Sequence, residues 1–82
     1  MKGAALVTGA SRGIGRAIAA TLAREGWAVC INYLQRKDAA ESLLAQLRAE
    51  GCAAMIYQAD VADRGQVAAM VQAVEQDRKS VV

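Results

Sequence analysis

Histidine is absent from the 82-residue chain, and its two cysteines, Cys30 and Cys52, stand in apolar settings with neither C-x-x-C nor metal-ligand spacing. Zinc sites and histidine-based catalysis are excluded on those grounds. The thiols read as small buried hydrophobes, with a disulfide as second choice, and a reducing cytoplasm suits them. Aromatic residues make up only 4% of the chain, and ten Lys and Arg lie scattered against eight acids, so neither the base-stacking surface nor the basic run of a nucleic-acid binder is present. Long apolar runs are missing too. Thr8, Gly9, Ser11 and Arg12 cut off the short run Ala4–Val7, which is no signal peptide. Nowhere do the roughly eighteen unbroken apolar residues of a membrane span occur.

What is present is a hydrophobic content of 55% against 22% charged residues, the balance of one soluble globular unit. Short apolar runs alternate with longer stretches whose apolar residues recur three and four apart, giving the order β-α-β-α-β-α. The runs Ala4–Val7, Ala28–Tyr33 and Ala53–Gln58 predict buried parallel strands. Residues 13–25 predict a helix with Ile14, Ala17, Ile18 and Leu22 on its apolar stripe and Gly26 at its stop. Residues 37–50 repeat the design with Ala40, Leu43, Leu44 and Leu47, ending at Gly51. Asp63, with Gln66 three residues later, predicts the cap of a third helix that carries Val67, Met70, Val71 and Val74 and ends near Asp77. Such alternation requires crossovers, which are right-handed, so the expected fold class is α/β: a partial Rossmann fold with a parallel three-stranded sheet and helices on both faces. Residues 1–77 form this half-domain. Residues 78–82 read as a tail or as the start of a truncated fourth strand.

The turn after the first strand, Thr8-Gly9-Ala10-Ser11-Arg12-Gly13-Ile14-Gly15, carries the chemistry. Gly9 lets the chain turn tightly out of the strand, Gly13 lets backbone approach a pyrophosphate, and Gly15 removes a side chain where the helix packs on the sheet. The following helix start supplies N–H donors and a positive dipole end to phosphates. A strand before, a helix after and no Gly-Lys-Ser/Thr ending favour a dinucleotide site over a P-loop. The second strand ends in Asn32-Tyr33-Leu34, without the carboxylate that would grip the ribose of NAD. Arg12 in the turn, and Arg36 with Lys37 after the second strand, are instead cations within reach of a 2′-phosphate, so NADP is the expected cofactor. Asp60, after the third strand, either accepts from an adenine amine or simply turns the chain before Asp63.

The string from Thr8 to Ala19 resembles the cofactor signature of the short-chain dehydrogenase/reductase family, Thr-Gly-x-x-x-Gly-x-Gly, and is closest to its 3-oxoacyl-(acyl-carrier-protein) reductase type. The resemblance covers about Ala4 to Asp77. It implies cofactor contacts from Gly9, Ser11, Arg12, Gly13, Ile14 and Gly15, with Ser11 at the adenosine phosphate end and the basic Arg12 going with NADP. It also implies that Asp60-Val61 is the adenine-contacting pair. The family's later Asn-Asn-Ala-Gly, catalytic Ser and helical Tyr-x-x-x-Lys are not found. Tyr33 and Lys37 have the bare spacing, but Tyr33 ends a strand, so it is expected in the core or at the cofactor edge and Lys37 as a solvated charge.

Two functions follow as expectations. One is the NADP(H)-binding part of an oxidoreductase that does not catalyse reduction alone. The other is a non-catalytic nucleotide-binding or dimerising module, in which the bare edge of the first strand pairs with another copy.

Overall fold

A computed structural model describes the backbone of residues 3–81 and the side-chain surroundings of residues 3–76. The elements are β1 (Gly3–Val7), α1 (Gly13–Arg24), β2 (Trp27–Tyr33), α2 (Lys37–Ala49), β3 (Ala54–Gln58) and α3 (Arg64–Val81). The strands form one parallel sheet in the order β1-β2-β3, with Val7 beside Ile31 and Ile31 beside Ile56. This is the architecture the alternating pattern predicts.

The central strand explains why its sequence is apolar without alternation. Residues Ala28–Tyr33 are all buried, because helices cover both faces. Val29, Ile31 and Tyr33 point to one side, against Ala19 and Ala23 of α1 and Ala40, Leu43 and Leu47 of α2. Cys30 points to the other, with Ala59 and with Met70 of α3. Neither cysteine is in a disulfide.

One expected face is wrong. Ile14 and Ile18 of α1 are 81% and 47% exposed, whereas Ala19 is fully buried and Ala23 nearly so. Apolar residues lie nearly all round α1, so periodicity admits more than one stripe. Of the expected stripe only Leu22 packs against the core; the fully covered positions are the alanines Ala19 and Ala23, whose small side chains let the helix lie close to β2. In α2 the expected stripe holds, with Ala40, Leu43 and Leu47 buried and Leu44 packed against the same core.

Asp63 caps α3 as expected: its Oδ1 accepts the Gln66 N–H at 3.1 Å, which together with the Gln66 side chain holds the Asp63 carboxyl below its usual range. The Gln66 side chain also reaches back, accepting the Asp60 N–H at 2.8 Å. The helix passes its expected end near Asp77 and keeps helical backbone through Val81. No Gly or Pro interrupts residues 66–81, so nothing stops it earlier. The ending expected as a tail or a fourth strand falls in this stretch, where only backbone is described, and position 82 lies outside the described residues.

The two sheet edges differ. Parallel pairing turns the N–H and C=O of Ala54 away from β2, and Arg48 donates to that outward carbonyl at 3.4 Å. The same register turns Ala4 and Leu6 of β1 outward, and no side chain bonds them among the described residues. Leu6 is 37% exposed there, beside Val71 of α3 at 41%.

Candidate functional site

The glycine turn leaves the sheet at the end of β1, and its shape depends on one contact. A Cβ placed on Gly15 would lie 2.5 Å from the Gly9 carbonyl oxygen and 3.2 Å from the Ala10 Cα. Gly15 is therefore needed because α1 packs on the turn itself, rather than on the sheet as expected. Gly9 and Gly13 have open space around them but φ of 60° and 67°, so what requires glycine there is the left-handed backbone.

Asn32, second to last in β2, ties the turn to the sheet. Its side chain is buried. Its Oδ1 accepts the Gly9 N–H at 3.3 Å. Its Nδ2 donates to the Ala59 carbonyl at 3.1 Å and the Tyr57 carbonyl at 3.4 Å. The Asn32 carbonyl also accepts the Ala10 N–H at 2.9 Å. One residue thus joins the ends of all three strands. Sequence reading treats this position only as the place where an acid is missing. The signal available was a lone amide in a run of buried apolar residues, which must have partners.

Nothing in the sequence marks Arg16 either. Its Nη1 donates to the Ser11 carbonyl at 3.2 Å and the Ala39 carbonyl at 2.8 Å, so it spans from the glycine turn to α2. Ser11 is buried beneath this link, only 8% exposed.

Above the turn opens a cleft of about 360 Å³ lined by Gly9, Ser11, Arg12, Tyr33, Leu34, Gln35 and Arg36. Five of the residues singled out in the sequence come together here: Gly9, Ser11, Arg12, Tyr33 and Arg36. Arg12 occupies the cap position of α1 in extended conformation, and no side chain caps the N–H groups behind it; the first turn also holds no acid. Arg12 makes no hydrogen bond or ion pair among the described residues. Arg36 caps α2 with left-handed backbone, φ 64° and ψ 53°, and its Nε lies 3.3 Å from Asp38 Oδ1. That hydrogen bond holds the Asp38 carboxyl below its usual range. Among the described residues the cleft walls themselves hold no carboxylate, Asp38 standing at the rim on Arg36.

The other marked residues stand apart from the cleft walls. Gly15 lies behind the turn, Gly13 begins α1, and the Ile14 side chain projects into solvent. Asp60 Oδ1 accepts the Ala62 N–H at 2.9 Å, the local turn that chemistry offered as its alternative. Val61 is 54% exposed beside it. Tyr33 and Lys37 do not share a helix: Tyr33 ends β2, 5% exposed, and Lys37 opens α2 with its ammonium 3.7 Å from Glu41. Among the described residues no group of His, Cys, Asp and Glu is arranged to hold a metal, and no helix is long and apolar enough to cross a membrane.

A family model described as short chain dehydrogenase matches residues 3–81. The chain belongs to the short-chain dehydrogenase family. A 3-oxoacyl-(acyl-carrier-protein) reductase of Staphylococcus aureus is 49% identical over 74 residues, covering 90% of this chain and 30% of that protein. A short-chain dehydrogenase of Burkholderia cenocepacia, solved in complex with NADP, superposes with a TM-score of 0.83 at 44% identity over 87% of this chain and 29% of its own. An alternative dihydrofolate reductase of Brucella suis, also solved with NADP, gives 0.84 at 31% identity over 94% of this chain and 30% of its own. The chain thus spans about three tenths of these family members, and the part it matches is the βα alternation around the glycine turn.

Proposed function

We propose that the chain is the NADP(H)-binding part of a short-chain dehydrogenase/reductase-type oxidoreductase. The observation that carries this reading is the pairing of Arg12 and Arg36 among the residues that line one cleft, next to an uncapped helix start. Backbone N–H groups from Gly13 onward, which no side chain caps, would hold the pyrophosphate at the start of α1. The cleft over the end of β2 would hold the adenosine half. There Arg12 and Arg36 would hold the 2′-phosphate, and Asp60 with Val61 would contact the adenine. Both solved relatives carrying NADP support the choice of cofactor.

When bound, NADPH supplies a hydride for reduction. This chain's residues bind and orient the adenosine end of the molecule. Proton transfer to the substrate is not assigned to any of them, since Tyr33 is buried in the sheet core and Lys37 is paired with Glu41. The reactions named for the relatives belong to proteins about three times as long. A cytoplasmic setting suits two cysteines that form no disulfide.

Arg12→Ala is the direct test. Loss of a charge-assisted contact to the 2′-phosphate weakens NADPH by about tenfold or more and leaves NADH within about twofold. Calorimetric titration of both cofactors measures it. Equal losses would overturn the 2′-phosphate assignment.

A second reading, self-association through the β1 edge, is favoured by the outward backbone of Ala4 and Leu6 and by the exposed Leu6 and Val71 beside it. Sedimentation velocity then gives a concentration-dependent dimer that Leu6→Lys converts to monomer. A clean, folded monomer at every concentration removes this reading.

A further inference from the structure

The two arginines of the cleft are not equivalent. Arg12 has no ionic partner among the described residues, whereas the Arg36 guanidinium is engaged by Asp38, two residues along, at 3.3 Å. The pair sits at the cleft rim with both side chains more than half exposed, so it exchanges readily with solvent and with ligand. Lys37, the next cation, is directed at Glu41, one turn further into α2. An anion arriving in the cleft therefore meets one uncommitted cation and one already neutralised.

We propose that Asp38 is an internal competitor for Arg36, which lowers the cleft's affinity for a 2′-phosphate and thereby sets how strongly the phosphorylated and unphosphorylated dinucleotides are separated. This deepens the NADP(H) reading and rests on it. The 2′-phosphate binds by displacing the Asp38 carboxylate from Arg36, and the displaced carboxylate stays nearby as a like charge. Both effects act only on the ligand that carries the phosphate. A carboxylate held low by Arg36 is ionised throughout the neutral range, so the competition is present there. Arg12 then provides the larger share of phosphate affinity in the parent chain, and Arg36 a reserve.

The test titrates NADPH and NADH against the 82-residue chain, Asp38→Asn, Arg36→Ala and the double variant, with melting temperatures taken alongside. Asp38→Asn is expected to tighten NADPH roughly two- to fivefold while NADH is unchanged, a range set by the modest strength of exposed pairs. The loss caused by Arg36→Ala should be larger when it is made in Asp38→Asn, since the two residues act on one contact. If the parent chain prefers NADPH but Asp38→Asn leaves that preference unchanged, or tightens both cofactors equally, the competitor role is overturned and the NADP(H) reading stands. If the gain from Asp38→Asn survives intact without Arg36, Asp38 acts by plain repulsion and the competition for Arg36 is overturned. If the parent shows no preference for NADPH, the underlying reading falls, and this inference falls with it.

Discussion

Gly15→Ala should lower the melting temperature by on the order of 10 °C and remove measurable binding of both cofactors. Alanine inside a helix is ordinarily better than glycine by about 1 kcal/mol. Here that preference is outweighed, because the new Cβ would come within 2.5 Å of the Gly9 carbonyl oxygen and 3.1 Å of the Gly9 carbonyl carbon. Those are backbone atoms of a turn fixed by Asn32, so they have no rotamer by which to escape. Overpacking of this kind costs about 1–3 kcal/mol, which at this chain length corresponds to several degrees per kcal/mol. Either α1 shifts away from the turn or the turn opens, and in both cases the phosphate donors lose their aim. A Gly15→Ala chain that melts at or above the parent temperature would contradict this account of the turn.

Asn32→Ala is expected to be comparably destabilising, by about 2–4 kcal/mol, because it strands a partly buried Gly9 N–H and the Ala59 carbonyl, each worth roughly 1–3 kcal/mol when left unsatisfied. Its binding signature differs from that of Arg12→Ala. The loosened turn weakens both NADPH and NADH, by about tenfold or more each, because the loss falls on the shared pyrophosphate as well as on Arg12 in the same turn. Thermal denaturation and paired cofactor titrations separate the two variants. Unchanged stability in Asn32→Ala, or a loss confined to NADPH, would show that Asn32 does not hold the turn.

The strands and helices were legible because each rests on local signals: continuous apolar runs for β1 to β3, and apolar spacing with terminal glycines for α1 and α2. The face of α1 was not, since Ile14 with Ile18 and Ala19 with Ala23 fit alternative helical stripes and only the packing on the sheet selects the alanines. The glycines, Arg12 and Arg36 could be marked from their places after strands, and they do meet at one cleft. Asn32 and Arg16 escaped because their meaning lies 23 or more residues away, at Gly9 and Ala59 for the first and at Ala39 for the second. For Asp60, the sequence offered two roles, and the local turn is present in the geometry. The Arg36–Asp38 pair was close enough in sequence to suspect, but an adjacent acid at a helix start is so ordinary that it draws no attention.

The left-handed backbone at Arg36 places two engineering goals in opposition. Glycine at this position would relieve about 1 kcal/mol of steric strain, and a redesign for ruggedness would choose it first. That exchange would also take from the rim the one side chain whose charge is contested. A hardened version of this scaffold would therefore be expected to grow less selective between cofactors as it grew more heat-resistant, and a selective version to keep a weak joint where α2 begins.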